Sequence, residues 1–539
     1  MFIALSRLCN IDIKYKCQVS IPIILKMTNK DVEGKEDEGK NPSINSCPQK
    51  CTISEVIDAI GYGKYQVQLS LVAGLAFLTD AMEMMILSVI APALECSDWN
   101  VTPTQVASLT TFVFVAMTIT SPIWGWISDA YGRRRSLIIS SVILFLLGLT
   151  TAFSPTFTWL IVLRFMCGCC ISCMPQCVTI LLEYLPSNAR GKANLVMTMI
   201  WAFGGSFTVL IAWGCIPNWL YGWRLLIASC TAPILVFLVF SFWMPESILF
   251  LSKIGKQEEA KLILKSIAKE NRKQNVLEAK EIIFNQNDEN SNLNKGIDTL
   301  SVMNHLFGQE KKKLTFLIWS ICALAGFNYY GVVLFATEIM AEDNENITNL
   351  NSNSSGCHVL EPRDYRNLFL TSLAEFPATI ISLWIMDIIG RKKTFLINSA
   401  IYSIVLCIIL TSGPYLDGTG ITVLLFLARG SGVSYAWTLF IYVPEAYPTE
   451  VRSIGFGLGS AFIRIGGMIT PYFAQVLLGY SKHLALSVYA MMGVLGCILP
   501  MCLPIETMGL DLSMSESSKL LKEEKTTHDD SSAKNEINK

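Results

Sequence analysis

Acidic and basic side chains interrupt several long apolar segments of this sequence. Asp80 and Glu83 are spaced i, i+3 and therefore share one face of a predicted helix. Arg164, Glu375 and Arg429 lie within three other apolar segments. Because a charge is costly in hydrocarbon, we expect these groups to form acid–base pairs between helices and to have a function. The alternative is a set of salt bridges that only fixes the register of the helices.

The composition indicates that these segments lie in a membrane. Of the 539 residues, 52% are hydrophobic and only 16% are charged, whereas a soluble domain has about 25% charged residues. The mean hydropathy is +0.45. Since a helix needs about 20 apolar residues to cross a bilayer, the apolar windows predict twelve spans, near residues 66–94, 105–127, 136–154, 158–182, 193–216, 223–244, 314–338, 366–387, 394–411, 420–443, 453–479 and 484–503.

The distribution of Lys and Arg in the short loops predicts the orientation of the chain. These residues concentrate in the loops near residues 133, 190, 391 and 452, which are therefore expected to be cytoplasmic together with both tails. The glycosylation sequons at Asn100, Asn346 and Asn353 all fall on the other side. Pro103 makes use of the first sequon less favourable. Cys96 and Cys357 share that oxidising side, but their spacing alone does not establish a disulfide.

An internal repeat divides the predicted spans into two halves. The segment WISDAYGRRR (126–135) matches WIMDIIGRKK (384–393), and a Glu, Pro and Arg pattern after span 4 recurs after span 10. Gly permits a tight turn, while an Asp and an Arg at helix ends can form a charge network that latches one conformation. The alternative is charge that only sets orientation. The predicted latch residues are Asp129, Gly132, Arg133, Glu183, Arg190, Asp387, Gly390, Arg391, Glu445 and Arg452.

The predicted fold is an all-α membrane protein with twelve transmembrane helices in two six-helix pseudo-symmetric halves. In such parallel-repeat proteins, a solute binds near the midplane between the halves. The divisions are a cytoplasmic tail (1–65), the first half (66–244), a cytoplasmic linker (245–313), the second half (314–505) and a cytoplasmic tail (506–539).

Two further features of these regions remain open. Residues 253–281 alternate Lys and Glu around Ile and Leu, which predicts one or two amphipathic helices. A cap under the bundle is favoured for them over a partner-binding site, and protein partners of the tails are unknown. The N-terminal residues lack a clear signal-peptide pattern, and either Met1 or Met27 can be the start.

Several classes of function are not supported. A net charge of −1 gives no basic field for nucleic acid. The sequence contains no Walker phosphate loop and no nucleophile elbow with triad partners, so we expect neither an enzyme with catalytic residues nor an ATP-driven pump, and no cofactor. The cysteine cluster within 167–177 is expected to pack helices closely rather than bind a metal.

The loop motifs resemble those of the major facilitator superfamily. The segments PESILFL, PEAYPTEVR and PIETMG, which follow spans 6, 10 and 12, are similar to its sugar and organic-ion transporter branches. Stretches such as IDAIGYGKYQVQLS, DAMEMMILSVIAP and FNYYGVVLFATE further resemble a subgroup of vesicle membrane proteins of neural or secretory cells. The resemblance implies a twelve-helix transporter-like protein in a vesicle or plasma membrane, but it implies no substrate.

One departure from the sugar branch argues against hexose transport. Sugar porters carry a Gln-Gln pair in span 7, and the matching stretch here is CALAGFN, with Cys322 and Ala323 at those positions. Asn328 follows in the same motif, and Asn328, Tyr329 and Tyr330 are the candidate substrate contacts. For the other aromatic residues, such as Trp201 and Trp437, packing is the favoured interpretation over binding of an organic cation.

The resemblance also implies a role for the buried charges. In proton-coupled sugar transporters an Asp in span 1 pairs with an Arg in span 4, and Asp80 and Arg164 match those positions. Glu83 is then a second protonation site or a contact for a cationic substrate. Glu375 and Arg429 are the candidate pair of the second half. The resulting proton-coupling set is Asp80, Glu83, Arg164, Glu375 and Arg429, and a structural role is favoured for Arg464.

Two functions remain in competition at this point. The favoured one is a secondary active transporter of a small organic solute, coupled to protons and working by alternating access in the lipid bilayer. The alternative is a vesicle membrane receptor or scaffold that has a transporter fold but no net flux. The intramembrane charges favour transport, whereas the lack of an implied substrate keeps the alternative open.

Overall fold

The structure is a computed structural model that describes residues 49–99, 101–186, 189–219, 221–274, 280–282, 309–343, 360–447 and 451–508. In this part of the chain, twelve helical segments are long and apolar enough to cross a membrane, which confirms the predicted fold class. Numbered in chain order as spans 1 to 12, they are Lys64–Val89, Pro103–Tyr131, Arg133–Ala152, Phe157–Glu183, Arg190–Cys215, Gly222–Ser241, Lys312–Met340, Pro362–Ile389, Arg391–Ser412, Gly418–Ala446, Ile454–Tyr480 and Lys482–Met501.

Prolines divide several spans into shorter helices. A proline lacks the backbone N–H and clashes with the carbonyl four residues earlier, so the helix breaks just before it or at it. The broken spans consist of Phe157–Ile171 with Gln176–Glu183, Gly222–Cys230 with Ala232–Ser241, Pro362–Ser372 with Glu375–Ile389, and Arg452–Pro471 with a π-helix at Tyr472–Leu477 and a last turn at Leu478–Tyr480. The break in span 8 immediately precedes the buried Glu375.

A single glycine connects two spans at equivalent places in the two halves. Gly132 joins spans 2 and 3 at φ +103°, and Gly390 joins spans 8 and 9 at φ +92°. Only glycine adopts such dihedrals without steric cost, so a one-residue connection is possible at both positions. We call the side of the bundle that carries these two glycines the motif side, and the other end of the spans the opposite side.

Short elements lie outside the spans. Strand β1 (Gln49–Cys51) pairs in parallel with strand β2 (Lys280–Ile282), with Gln49 opposite Lys280. Neither strand was predicted from the sequence. The short helices are Ile53–Ile60, Ala91–Glu95, Ile248–Lys253 and Gln257–Glu270, with a 3-10 turn at Gly413–Tyr415.

The helix Gln257–Glu270 lies within the segment that was expected to be amphipathic. It buries Ala260, Leu264, Ile267 and Ala268. Asn271 at its end donates to Gln66 Oε1 at 2.8 Å and accepts the backbone N–H of Tyr65 at 3.2 Å. These bonds attach the helix to the start of span 1, which is the arrangement that a cap under the bundle requires.

Apolar packing joins the two halves toward the opposite side of the bundle. There, Ile90 and Leu94 of the first half share one buried cluster with Val332 and Ile339 of span 7. Toward the motif side, Leu314 and Tyr442 belong to a cluster formed by second-half residues alone. The halves are therefore packed together most extensively away from the motif side.

Candidate functional site

Polar contacts in the described part of the chain join the two halves at the middle of the spans and toward the opposite side. They fall on spans 1, 2 and 5 of the first half and on spans 7, 8, 10 and 11 of the second. They are Thr111 Oγ1 to the Met468 carbonyl (2.9 Å), Trp201 Nε1 to Tyr329 OH (3.2 Å), Ser372 Oγ to Ser206 Oγ (2.9 Å), Arg429 Nη2 to Met85 Sδ (3.6 Å) and Arg464 Nη1 to the Met117 carbonyl (3.4 Å).

A buried ion pair of the second half lies in this interface. Arg429 Nε is 2.9 Å from Glu375 Oε1, and each side chain is only 2% exposed. Tyr329 donates its hydroxyl proton to the same carboxylate oxygen at 3.3 Å and accepts the indole N–H of Trp201. Arg429 also donates to Met85. Since Trp201 and Met85 belong to the first half, the pair expected between Glu375 and Arg429 is present and is bonded to the first half on two sides.

A second buried ion pair corrects an expected pairing. Arg164 Nη1 lies 2.6 Å from Glu83 Oε2, whereas Asp80 was expected to be its partner. Glu83 is nearly one helical turn closer than Asp80 to the end of span 1 at Val89, and Arg164 lies close to the beginning of span 4 at Phe157, so Glu83 reaches the same depth. Cys167 and Cys230 lie in the electrostatic environment of this pair, which is thus enclosed within the first half.

Asp80 instead faces the second half. It is 7% exposed and interacts electrostatically with Arg464 of span 11, but its Oδ1 accepts no hydrogen bond. Arg464 is also 7% exposed and donates to the Met117 carbonyl. Tyr330 lies in the field of both charges. Arg464 was recognised from the sequence as an arginine inside an apolar span, but it was given a structural role and no acidic partner.

Aromatic side chains surround these charges. The ring of Trp201 lies 5.4 Å from that of Phe77 and 6.5 Å from that of Trp437, and Tyr330 lies 4.7 Å from Phe114. Tyr329 and Tyr330, two of the candidate substrate contacts, are therefore part of the interface between the halves. The third, Asn328, is buried with no hydrogen bond to its Oδ1.

A narrow cleft lies beside this aromatic group within the second half. It is bounded by Phe440, whose ring is 5.1 Å from that of Trp437. Ser460 of span 11 also lines it, four residues before Arg464 and thus on the same helical face. The remaining lining is mainly apolar: Cys322, Leu439, Val443, Phe456, Gly459 and Ile463.

A charge network holds the motif side of the first half. Arg133 forms an ion pair with Glu183, and Ser247 Oγ donates to the other oxygen of Glu183 at 2.5 Å. The Glu246 carboxylate accepts the backbone N–H groups of Arg134 and Ser247, each at 3.0 Å. It therefore caps the first turn of span 3, where the helix dipole favours a negative charge.

The second half repeats this network. Arg391 binds Glu445 at 3.0 Å, and Thr507 Oγ1 donates to Glu445 at 2.6 Å. Glu506 accepts the backbone N–H groups of Arg391 at 2.9 Å and Lys392 at 3.0 Å. Glu246 and Glu506 were not among the predicted latch residues. Their signal in the sequence is a Glu followed by a hydroxyl residue after spans 6 and 12.

The other predicted latch residues are attached less closely. Asp129 is 67% exposed and lies 4.0 Å from Arg133, and Asp387 is 75% exposed and lies 3.9 Å from Arg391. Exposed pairs of this kind contribute little. Arg190 is exposed and has no carboxylate partner among the described residues. Arg452 donates to the carbonyl of Tyr447 at 3.4 Å.

The remaining predicted sites lie mostly outside the described residues. This holds for Asn100, Asn346 and Asn353, and for Cys357, Met1 and Met27. Cys96 is disulfide-bonded. The sequence leaves its pairing with Cys357 open.

Comparisons with known proteins agree with the architecture. A family model described as "Sugar (and other) transporter" matches residues 77–517. The synaptic vesicle 2-related protein of Rattus norvegicus is 39% identical over 471 residues, which cover 86% of this chain and 82% of that protein. Organic cation/carnitine transporter 7 of Arabidopsis thaliana is 34% identical over 504 residues, covering 87% of this chain and 97% of that protein.

A solved structure shows the same fold. The inward open conformation of the xylose transporter XylE from E. coli superimposes with a TM-score of 0.64 at 18% identity, covering 83% of this chain and 98% of that chain. At this identity the likeness concerns the fold alone. The family match extends over more than half of the chain and agrees with the twelve spans and the duplicated motifs. The chain therefore belongs to the sugar (and other) transporter family of the major facilitator superfamily and is a multi-pass membrane transporter.

Proposed function

We propose that this transporter couples the movement of a small organic solute to protons and works by alternating access. The observation that carries the proposal is the ion pair between Glu375 and Arg429. It is buried in the second half, yet it is connected to Trp201 of the first half through Tyr329 and to Met85 through Arg429. A change of charge at Glu375 therefore acts on contacts that hold the two halves together.

Protonation of Glu375 removes the counter-ion of a buried guanidinium. A buried charge without its partner is strongly destabilising, so Arg429 must find another partner or become hydrated. Either response disturbs its contact with Met85, and the neutral carboxyl group is a weaker acceptor for Tyr329. Protonation thus lowers the stability of this arrangement of the halves relative to the alternative one, which is how a local charge event biases a two-state element.

The ion pair between Glu83 and Arg164 has a different place in this scheme. It joins spans 1 and 4 inside the first half. A proton on Glu83 would alter packing within that half before it altered the interface. We assign to this pair mainly the fixing of helix register, and to Glu375 with Arg429 the coupling of protons to the relative position of the halves.

The duplicated networks on the motif side support rigid movement of each half. Each one joins three elements of the same half: the one-glycine turn, the end of span 4 or 10, and the segment after span 6 or 12. Alternating access in parallel-repeat transporters is largely rocking of one half against the other. We propose that these networks preserve each half during that movement.

The membrane is proposed from the relatives and from the charge of the loops. The rat relative is named for the synaptic vesicle, and the short loops that are rich in Lys and Arg predict cytoplasmic tails. We propose a vesicle membrane, with the motif side facing the cytoplasm.

Reconstitution in sealed liposomes tests the proposal. Purified protein is given an imposed pH gradient and a panel of radiolabelled organic cations, anions, zwitterions and sugars, with empty liposomes and a collapsed gradient as controls. We expect accumulation of one solute class that disappears when the gradient is collapsed. Folded protein that moves no member of the panel would contradict the proposal and favour a receptor or scaffold.

A further inference from the structure

We propose that Asp80 and Arg464 bind the head group of a zwitterionic solute, with its cationic nitrogen at Asp80 and its carboxylate at Arg464. The inference names the substrate class of the proposed transporter and rests on that proposed function. It concerns a different pair of residues from the one to which proton coupling is assigned.

The two residues face each other from different halves without closing an ion pair. Asp80 lies on span 1 and Arg464 on span 11, and both are 7% exposed. Among the buried charges of the described spans, Glu83 pairs with Arg164 and Glu375 pairs with Arg429. Asp80 and Arg464 form no ion pair within 4.0 Å among the described residues. Asp80 Oδ1 accepts no hydrogen bond, and Arg464 Nη1 donates a long bond of 3.4 Å to the Met117 carbonyl. A buried carboxylate and a buried guanidinium that remain apart provide one site for each charge of a dipolar solute.

The charges select among solute classes. A purely cationic solute at Asp80 would also lie in the repulsive field of Arg464, and a purely anionic one at Arg464 in that of Asp80. A neutral sugar would leave both charges desolvated and uncompensated. A zwitterion complements both at once, so it is the class that gains most from this pair.

The surroundings favour a substituted nitrogen and an apolar portion. Tyr330 lies in the field of both charges, and its ring is packed against Phe114 at 4.7 Å. Aromatic faces attract alkylated ammonium groups. A narrow cleft is lined by Ser460, on the helical face that carries Arg464, and by mainly apolar side chains. An apolar portion of the solute would contact that lining.

Three probes of matched shape test the inference by binding. Glycine betaine carries a trimethylammonium group and a carboxylate, its methyl ester keeps only the positive charge, and 3,3-dimethylbutyrate keeps only the negative charge. Dissociation constants are measured with purified full-length protein in detergent at constant ionic strength and without a pH gradient. We expect glycine betaine to bind at least about tenfold more tightly than either isostere, as a charge contact worth about one factor of ten implies.

Two variants make the test specific. Asp80→Asn should turn the preference toward 3,3-dimethylbutyrate, and Arg464→Gln should turn it toward the methyl ester. A merely structural role would weaken all three probes together and would not reverse their order. Asp80→Glu, which keeps the charge, should retain the preference for betaine. Melting temperatures confirm that each variant is folded.

The outcomes separate this inference from the proposed function. Equal binding of the three probes, or an unchanged order in both charge variants, overturns the zwitterion assignment. Gradient-driven uptake of a sugar or a simple cation without betaine binding overturns the assignment alone and leaves the proposed function standing. Betaine binding with the expected reversal supports the assignment even if the pH gradient drives no uptake, a result that would contradict only the proton coupling.

Discussion

Arg164 lies 2.6 Å from Glu83, and so its partner is not Asp80, which precedes Glu83 by three residues on the same helix. The two acids of span 1 therefore have different surroundings. Glu83 is neutralised inside the first half, whereas Asp80 faces Arg464 of the second half. The family resemblance correctly predicted that an acidic residue of span 1 pairs with an arginine of span 4. The choice between two acids three residues apart depends on helix depth and rotation.

Removal of one member of the Glu83–Arg164 pair should destabilise the protein strongly. Both side chains are at most 2% exposed, so Glu83→Gln leaves a buried guanidinium without a counter-ion, at a cost of about 3–5 kcal/mol. Thermal unfolding of purified protein in detergent should show a clearly lower melting temperature. The double variant Glu83→Gln with Arg164→Met should recover part of the loss. Glu259→Gln, whose ion pair with Lys256 is half exposed, is the control, and an equal loss in that variant would argue against the assigned pairing.

The two capping glutamates on the motif side should be equivalent. Glu246→Gln removes the negative charge that accepts the backbone N–H groups of Arg134, at the start of span 3, and of Ser247. Glu506→Gln removes the charge that accepts those of Arg391 and Lys392 at the start of span 9. The expected cost of each is about 0.5–2 kcal/mol. Glu259→Gln is the control, since its ion pair with Lys256 is half exposed. Thermal unfolding measures all three variants. If Glu506→Gln were as stable as the control, the network of the second half would not stabilise the protein as that of the first half does.

The architecture could be predicted from the sequence because it depends on patterns that extend over many residues. Apolar windows defined all twelve spans to within a few residues, and repeated motifs revealed the turns at Gly132 and Gly390. Contacts between individual side chains were less predictable. The proximity of Arg464 to Asp80 joins two different halves, so no spacing along the chain indicates it. The strands β1 and β2 are too short to carry a periodic signal.

Glycosylation tests the predicted orientation. Asn346 and Asn353 lie in the segment between spans 7 and 8, on the side expected to face the lumen. Glycosidase treatment should increase the electrophoretic mobility of protein from secretory cells, and the double variant Asn346→Gln with Asn353→Gln should abolish that change. Asn100→Gln should have little effect, because Pro103 follows its sequon. The predicted orientation would be contradicted if glycosidase left the mobility unchanged and protease added to the cytoplasmic face of intact membranes did not cleave the tails.

Glu95 should make stability depend on pH. It lies after the end of span 1, and burial raises its pKa from 4.5 to about 7. The folded state therefore binds this proton more tightly than the unfolded state does. The contribution of the protonated carboxyl group to the free energy of unfolding is complete below about pH 4.5 and is lost as the pH rises through about 7. Glu95→Gln should melt like the wild type at about pH 5 and at a higher temperature at about pH 8. Parallel melting curves at every pH would contradict this account.

The most direct test of coupling through Glu375 compares accumulation with exchange in proteoliposomes that contain Glu375→Gln. Exchange of labelled for unlabelled solute needs no net proton movement, whereas accumulation against a gradient does. We predict that the variant retains exchange but loses accumulation driven by the pH gradient, while Glu95→Gln, an acid outside the spans, keeps both. Full gradient-driven accumulation by folded Glu375→Gln would contradict the central claim that this carboxylate couples protons to the movement of the two halves.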